Sequence, residues 1–291
     1  MKRGIKVGAA VAGGVALGAV AVVTTAGVLW GRATARAAGR LTTPSASGAS
    51  ELPATFSPEQ LAGLPAPVVR YFTFALTPGQ PLVRSAHVRW EGEFRTRPDA
   101  AWAPFTAAQQ FGVRPPGFVW DARIAMAPLI GVRVRDSYLA GEGTMHGAIA
   151  ALVPVVDQRG TPEMAAGALS RYLGECVWLP TALLPSAGVT WSAIDDSTAR
   201  ATLTDGTTTV SADFHFGPRG EVIRTTMTRF RDVDGVGVPT PFAAITGGEY
   251  RRVSGMMIPA GGEAAWVLPE GPLTYWRGRI QDVWYGFVRR R

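Results

Sequence analysis

The only cysteine of the chain, Cys176, lies in SRYLGECVWLPTALLP, residues 170–185, beside Arg171, Tyr172, Glu175 and Trp178. A thiol, a carboxylate and a guanidinium so close together are the raw material of a nucleophilic centre. A reactive thiol, however, needs a cationic neighbour or a helix N-terminus. Cys176 falls near the C-terminal end of an expected helix, where the dipole disfavours a thiolate. It also shares one helical face with Leu169, Tyr172 and Leu173, so core packing is the expectation. Pro180 prevents the helix from continuing. Trp178, Leu179, Leu183 and Leu184 then extend it as an apolar elbow. Arg171 and Glu175, at i and i+4, are spaced to pair on the polar side.

The carboxylates offer a second chemistry. Asp136 and Glu142 flank the glycine turn of RDSYLAGEGTMHG, and Glu175 ends the helix. Glycoside hydrolysis needs two carboxyl groups about 5–10 Å apart. Ion pairs with Arg171, Arg133 or Arg135 are the simpler expectation. A hydrolase built on Asp136, Glu142 or Glu175 with arginine partners is the alternative. The sequence contains no G-x-S-x-G, no GKS or GKT, no H-E-x-x-H and no CxxC. Its histidines, His87, His146 and His215, are isolated from one another and from Cys176, so neither a metal site nor a cofactor is expected. The only lysines are Lys2 and Lys6, which leaves the body without a Schiff-base or phosphate-loop lysine.

Aromatic residues are the stronger signal. Trp90, Trp120, Trp178, Trp191, Trp266 and Trp276, with Tyr138 and Tyr172 as polar edges, are the candidate ligand-binding residues. On a large sheet with few helices to cover it, such side chains would either line an apolar hollow that holds a lipid or similar molecule, or simply fill it. The second case would make the protein a structural or interaction module.

The elements that must position them follow from periodicity. SPEQLAGLPAPVVRYFTFAL reads as a short helix pair opened by Ser57 and Pro58 and interrupted by Pro65 and Pro67. From residue 84 the period becomes two: VRWEGEFRTR alternates Val88, Trp90, Gly92 and Phe94 against charged neighbours. FTAAQQFGVR, GFVWDARIAMAP and GVRVRDSYLAGEGTMHGAIAALVPVV continue as strands. TPEMAAGALSRYLGECVWLP is the best helix, with Thr161 as its cap and Pro162 at its first position. Strands then resume to the end: VTWSAID, ARATLTD, TTVSADFHFG, EVIRTTMTRFRD, EYRRVSGMMIP, GGEAAWVLPE and LTYWRGRIQDVWYG. Short links such as DGT and GPRG imply hairpins and an antiparallel sheet. The expected fold is mainly β (α+β): a large curled antiparallel sheet or half-barrel of about ten to twelve strands with two or three helices, preceded by one transmembrane helix.

That helix is Val7 to Trp30, 24 residues without a charge. At about 1.5 Å per residue it could span a hydrocarbon core of about 30 Å. A cleaved signal peptide is the rival reading, with ATA at 33–35 and ARA at 35–37 as cleavage-like sites, but its apolar region would be shorter. The net charge is +7, and six basic residues with no acid lie within the first 40, which leaves +1 for the rest. A nucleic-acid-binding body would keep a basic face of its own, so nucleic acid is excluded as a partner. Lys2, Arg3 and Lys6 favour an inside N-terminus and an extracytoplasmic body, against Arg32, Arg36 and Arg40 on the other flank. The organisation is a membrane anchor with basic flanks at 1–40, a linker at 41–57, one antiparallel-sheet domain at 58–288 and a basic tail at 289–291.

DSYLAGEGTMHG, RYLGECVWLPTALLP, VTWSAIDD, ATLTDGTTTVSADFHF and GMMIPAGGEAAWVLPEGPLTYWRGRIQDVWY, in this order, resemble a bacterial family known as a domain of unknown function. The resemblance runs over roughly residues 65–287. The strand pattern is similar to that of the lipoprotein-carrier half-barrels (LolA/LolB-like), a fold-level analogy. It implies an apolar concavity that holds acyl chains and supplies no catalytic residue. Unlike a lipoprotein, this chain has no lipobox cysteine. The expected function is therefore that of a membrane-anchored envelope protein that binds an apolar ligand without catalysis.

Overall fold

A computed structural model describes residues 2–41, 52–127, 130–233 and 235–288, the side chains of residues 2–17, 19 and 130 excepted. Most of the expected linker and the whole basic tail lie outside these. Among the described residues there are fifteen strands: β1 (Val83–Phe94), β2 (Ala103–Gly112), β3 (Gly117–Ala127), β4 (Ile130–Leu139), β5 (Glu142–Ile149), β6 (Val153–Arg159), β7 (Val189–Ala193), β8 (Thr198–Asp205), β9 (Thr208–Phe216), β10 (Val222–Val233), β11 (Val236–Ile245), β12 (Tyr250–Val253), β13 (Met256–Pro259), β14 (Gly261–Leu268) and β15 (Gly271–Phe287). The helices are α1 (Lys2–Arg40), α2 (Ala66–Ala75) and α3 (Pro162–Glu175).

Thirteen strands form one antiparallel sheet in the order β6-β5-β4-β3-β2-β1-β15-β14-β11-β10-β9-β8-β7, and β12 with β13 form a separate hairpin. The long pair β1 and β15 is the spine, and an arm extends from each side of it. The alternation of Val88, Trp90 and Phe94 puts these side chains on the inner face, with Arg89 and Glu91 outside. The sheet curls around this inner face. Gly92 stands opposite Gly278, and Gly278 opposite Gly262, across the spine. A Cβ on Gly278 would come within 2.6 Å of the Trp276 indole, so its absence lets that ring lie over the backbone.

β11 was not expected, and its sequence explains why. VGVPTPFAAI carries Pro239 and Pro241, which argue against a central strand. β11 pairs with β14 only over Phe242–Ile245. Its first residues therefore form an edge on that side, where a missing N–H is tolerated.

α3 lies inside the curl, packed against β4, β5, β9 and β10. Thr161 caps it as expected, its Oγ1 accepting from the Met164 amide at 3.2 Å. The helix has two distinct faces. Ala165, Leu169, Tyr172, Leu173 and Cys176 enter the main core with α2 and the short 3-10 turns after α3. Met164, Gly167, Ala168, Arg171, Gly174 and Glu175 face an open hollow.

α1 is docked on the outer face of the sheet. Trp30 Nε1 donates to Asp121 Oδ1 at 3.0 Å, and Thr34 Oγ1 to Asp121 Oδ2 at 2.9 Å. The Trp30 ring lies beneath the guanidiniums of Arg133 and Arg135. Leu41 buries Val119 and Leu139 with the help of Ala37. Among the described residues no helix is long and apolar enough to cross a membrane. The expected span of 7–30 lies partly outside the residues whose side chains are described.

Candidate functional site: an apolar hollow inside the sheet

The hollow between α3 and the inner face of the sheet has a volume of about 1260 Å³. That exceeds the roughly 300–1,000 Å³ common for small-molecule sites. One wall is Trp120 of β3 with Val134 and Met145; the other is Met227, Phe242 and Trp266 of the far arm. Trp276 and Tyr275 close it along the spine. Between Met164 and Arg171, the face of α3 toward it carries only Gly167 and Ala168. A Cβ built on Gly167 meets nothing within 4 Å.

The hollow opens toward one end of the sheet. Phe94 pairs with Ala103 and with Trp276, Ala127 with Ile130, Ile149 with Val153, Val233 with Val236 and Leu268 with Gly271. Hairpins β1–β2, β3–β4, β5–β6, β10–β11 and β14–β15 therefore all turn at this same end. Met126, Val155, Phe230 and Gly235 at those tips line the hollow. An adjoining space of about 1040 Å³ shares Ile124, Ile245 and Gly262 with it and is edged by the ion pairs Arg277–Glu93 and Arg279–Glu249.

Its inner end is polar. Arg171 Nη1 donates to Asp136 Oδ2 at 2.6 Å, and Nε to Glu175 Oε1 at 2.9 Å. Gln109 Nε2 donates to Glu175 Oε2 at 2.6 Å, and Gln109 Oε1 accepts from Trp90 Nε1 at 3.0 Å. The Arg171 guanidinium also lies over the rings of Phe118 and Trp120. Side-chain exposures of 17%, 6% and 18% for Arg171, Asp136 and Glu175 show that all three are largely withdrawn from water. Burial alone would disfavour the Arg171 cation. The Glu175 and Asp136 carboxylates outweigh that penalty and hold its pKa above the ordinary guanidinium value. The i, i+4 pair expected on the polar side of the helix is formed, and it sits at the inner end of the hollow. Glu142, the third carboxylate of the hydrolase reading, is exposed on the β4–β5 turn.

The eight aromatic candidates divide. Trp120, Trp178, Trp266 and Trp276 line the hollow. Trp90 lies just beneath, edge-on to Trp178 at 4.7 Å and to Trp276 at 5.5 Å between ring centres. Trp191 is elsewhere, packed on Phe72 and Phe214 with its Nε1 donating to the Leu183 carbonyl. Tyr138 is fully buried, with its hydroxyl donating to Asp205 Oδ2 at 2.8 Å. Tyr172 is in the core beside Phe111. Cys176 is inaccessible, and burial pushes its thiol pKa well up. Sequence reasoning passed over Phe242, Tyr275, Met145 and Met227. Tyr275, Met145 and Met227 lie on expected strands, but nothing local marked them as wall rather than filling, and Phe242 lies on β11, which was not expected.

The protein is a curled antiparallel half-barrel with a helix lying inside the curl and a hollow between that helix and the sheet. A family model described as a family of unknown function (DUF6544) matches residues 54–278, and the chain belongs to that family. No curated protein matches the sequence. Among solved structures, the fold is similar to a LolA superfamily protein from Nitrosomonas europaea, with 11% identity, a TM-score of 0.38, and coverage of 77% of this chain and 93% of that one. It is also similar to a DUF1329 family protein from Desulfovibrio piger, with 9% identity, a TM-score of 0.38, and coverage of 70% and 86%. A β-barrel-like protein of domain DUF1849 from Brucella abortus matches at 7% identity and a TM-score of 0.30, over 71% and 99%.

Proposed function

We propose that this protein is a membrane-anchored envelope protein that holds a lipid or comparable apolar molecule in the hollow of its sheet, without catalysis. The observation that carries this reading is the hollow itself: about 1260 Å³, walled by Trp120, Met227, Phe242, Trp266 and Trp276, beneath a helix face of Gly167, Ala168 and Gly174. Close-packed interiors seldom leave so large an apolar space vacant. Asp136 and Glu175 do meet there, but each engages Arg171. This favours a structural role for them over general acid and base.

The anchor in this reading is the part of the apolar run that stands clear of the sheet. The exposed residues Val20, Val22 and Val23 precede Ala26, the first buried position of α1 among the described side chains. Val7 to Thr25 would cover about 28 Å as a helix, close to the hydrocarbon thickness of about 30 Å. With Lys2, Arg3 and Lys6 inside, the body lies outside the cytoplasm.

The test is native mass spectrometry of the chain from Ala26 onward, which retains the docked part of α1, before and after incubation with phospholipid vesicles. One equivalent of bound lipid, lost on organic extraction, is the expected result. A bare mass with no uptake would leave the structural-module reading in its place.

A further inference from the structure

The large apolar side chains that are exposed are not spread over the surface. Apart from Ile194, Ile223, Ile245 and Trp284, those on the described residues lie either on α1 or near the hairpin tips at the open end of the hollow. At that end Val236 is 63% exposed, Val153 58%, Met126 53%, Val155 51% and Phe230 40%. Single exposed apolar residues are ordinary, but a set gathered round the mouth of one cavity marks a contact surface.

The course of α1 indicates what that surface meets. Leu41 is packed near Gly117 at the start of β3, and Trp30 and Thr34 reach Asp121 further along the same strand. Followed from Leu41 toward its N-terminus, α1 therefore runs in the direction in which β3 runs toward its hairpin with β4. It leaves the sheet at Ala26, and the exposed side chains of Val20, Val22 and Val23 lie beyond that point. The most apolar stretch of the chain therefore departs from the same end at which the apolar tips and the cavity mouth are found.

We infer that Met126, Val153, Val155, Phe230 and Val236, at the tips of the β3–β4, β5–β6 and β10–β11 hairpins, form a bilayer-docking surface, which seats the mouth of the hollow on the membrane that α1 enters. This inference rests on the anchor in the reading above. It adds that the body does not stand off from the membrane on a tether: ligand passes between bilayer and hollow without crossing bulk water. The occupant is a lipid surface and not a protein groove, because the tips belong to separate hairpins, set Met126, Val155 and Phe230 beside Asp157, Arg159, Arg231 and Asp232 as an apolar layer next to a charged one would require, and are flanked by the anchor itself.

The test uses the full chain reconstituted in vesicles of phosphatidylethanolamine and phosphatidylglycerol. Single cysteines at Met126→Cys, Val155→Cys and Val236→Cys carry a polarity-sensitive fluorophore; Cys176 is inaccessible and does not compete. Val22→Cys reports on the anchor, and Glu142→Cys, on the exposed β4–β5 turn away from these hairpins, reports on water. Severalfold brighter emission at the three tips, quenched by doxyl-labelled lipid while position 142 is not, is the expected result. Tip labels that behave like position 142 while position 22 is quenched would overturn the docking surface and leave the anchor standing. Unquenched label at position 22 as well would overturn the anchor and the docking surface with it.

Discussion

Filling the hollow from its helix should abolish ligand uptake without harming the fold. Gly167 is the position for this: it lies on the bare face of α3, and a Cβ there meets no atom within 4 Å. In Gly167→Phe the phenyl ring projects into the hollow. The substitution also removes a helical glycine, and Phe is about 0.5 kcal/mol better than Gly in a helix interior. For a domain of this size that corresponds to a rise in melting temperature of about 1–2 °C, increased by whatever apolar contact the ring makes. The ligand loses the space. If the ring displaces about four methylenes of an acyl chain, at about 0.8 kcal/mol each, binding weakens by about 3 kcal/mol, or about a hundredfold in Kd. The assay is a fluorescent fatty-acid titration beside thermal melting of the unliganded protein. Kd within twofold of the parent would refute occupancy of the hollow by the acyl chain. A melting temperature lowered by several degrees would refute the open space itself.

Three further outcomes follow from the same geometry. Arg171→Met leaves Asp136 and Glu175 buried without their cation and should cost about 3–5 kcal/mol in urea unfolding, with much of the loss recovered by adding Asp136→Asn and Glu175→Gln; no recovery would mean that the guanidinium acts through its packing on Phe118 and Trp120. Cys176, buried and with its thiol pKa raised by that burial, should resist iodoacetamide at pH 8 in the folded protein and react fully in urea. Burial, then Arg89 for His87 and Arg224 for His215, depresses both imidazoles below the ordinary 6.5. The unfolded chain therefore takes up protons first as pH falls, so stability contributed above pH 6.5 is lost as pH drops below it; His87→Gln with His215→Asn should unfold with a shallower loss between pH 7 and pH 5 than the parent.

Some of this architecture is written locally and some is not. Thr161-Pro162 and the spacing of Leu169, Tyr172, Leu173 and Cys176 define the start and the core face of α3 within a single segment. β1 is equally plain from its alternation. β11 is hidden because Pro239 and Pro241 look like strand breakers until its pairing with β14 is seen to begin only at Phe242. Trp191 and Trp266 are indistinguishable as strand tryptophans. One lies in a terminal strand of the sheet against α2, and the other faces the hollow, a difference decided by topology alone. Gly167, Ala168 and Gly174 carry no sequence mark of a binding wall, because an absent side chain signals nothing by itself. The docking of Trp30 on Asp121 joins residues 91 positions apart, and periodicity has no means to anticipate it.

The polar cluster at the inner end has a physical role that an apolar ligand makes intelligible. A large apolar hollow tends to collapse, because every wall atom gains dispersion contacts if the helix moves in. α3 is held at both ends by contacts of fixed length. At its start the Met164 carbonyl lies against Gly143, where a Cβ would collide with it. At its end Arg171 and Glu175 bind Asp136 of β4 and Gln109 of β2. A hydrogen bond of 2.6–2.9 Å does not shorten to suit a collapsing wall, whereas leucines in the same places would slide and repack. Between these two fixed points lies the stretch of Gly167 and Ala168, too small to fill the gap. Charges buried at a cost of several kcal/mol per ion thus hold the helix off the sheet, beside a wall of Trp120, Met227, Phe242, Trp266 and Trp276.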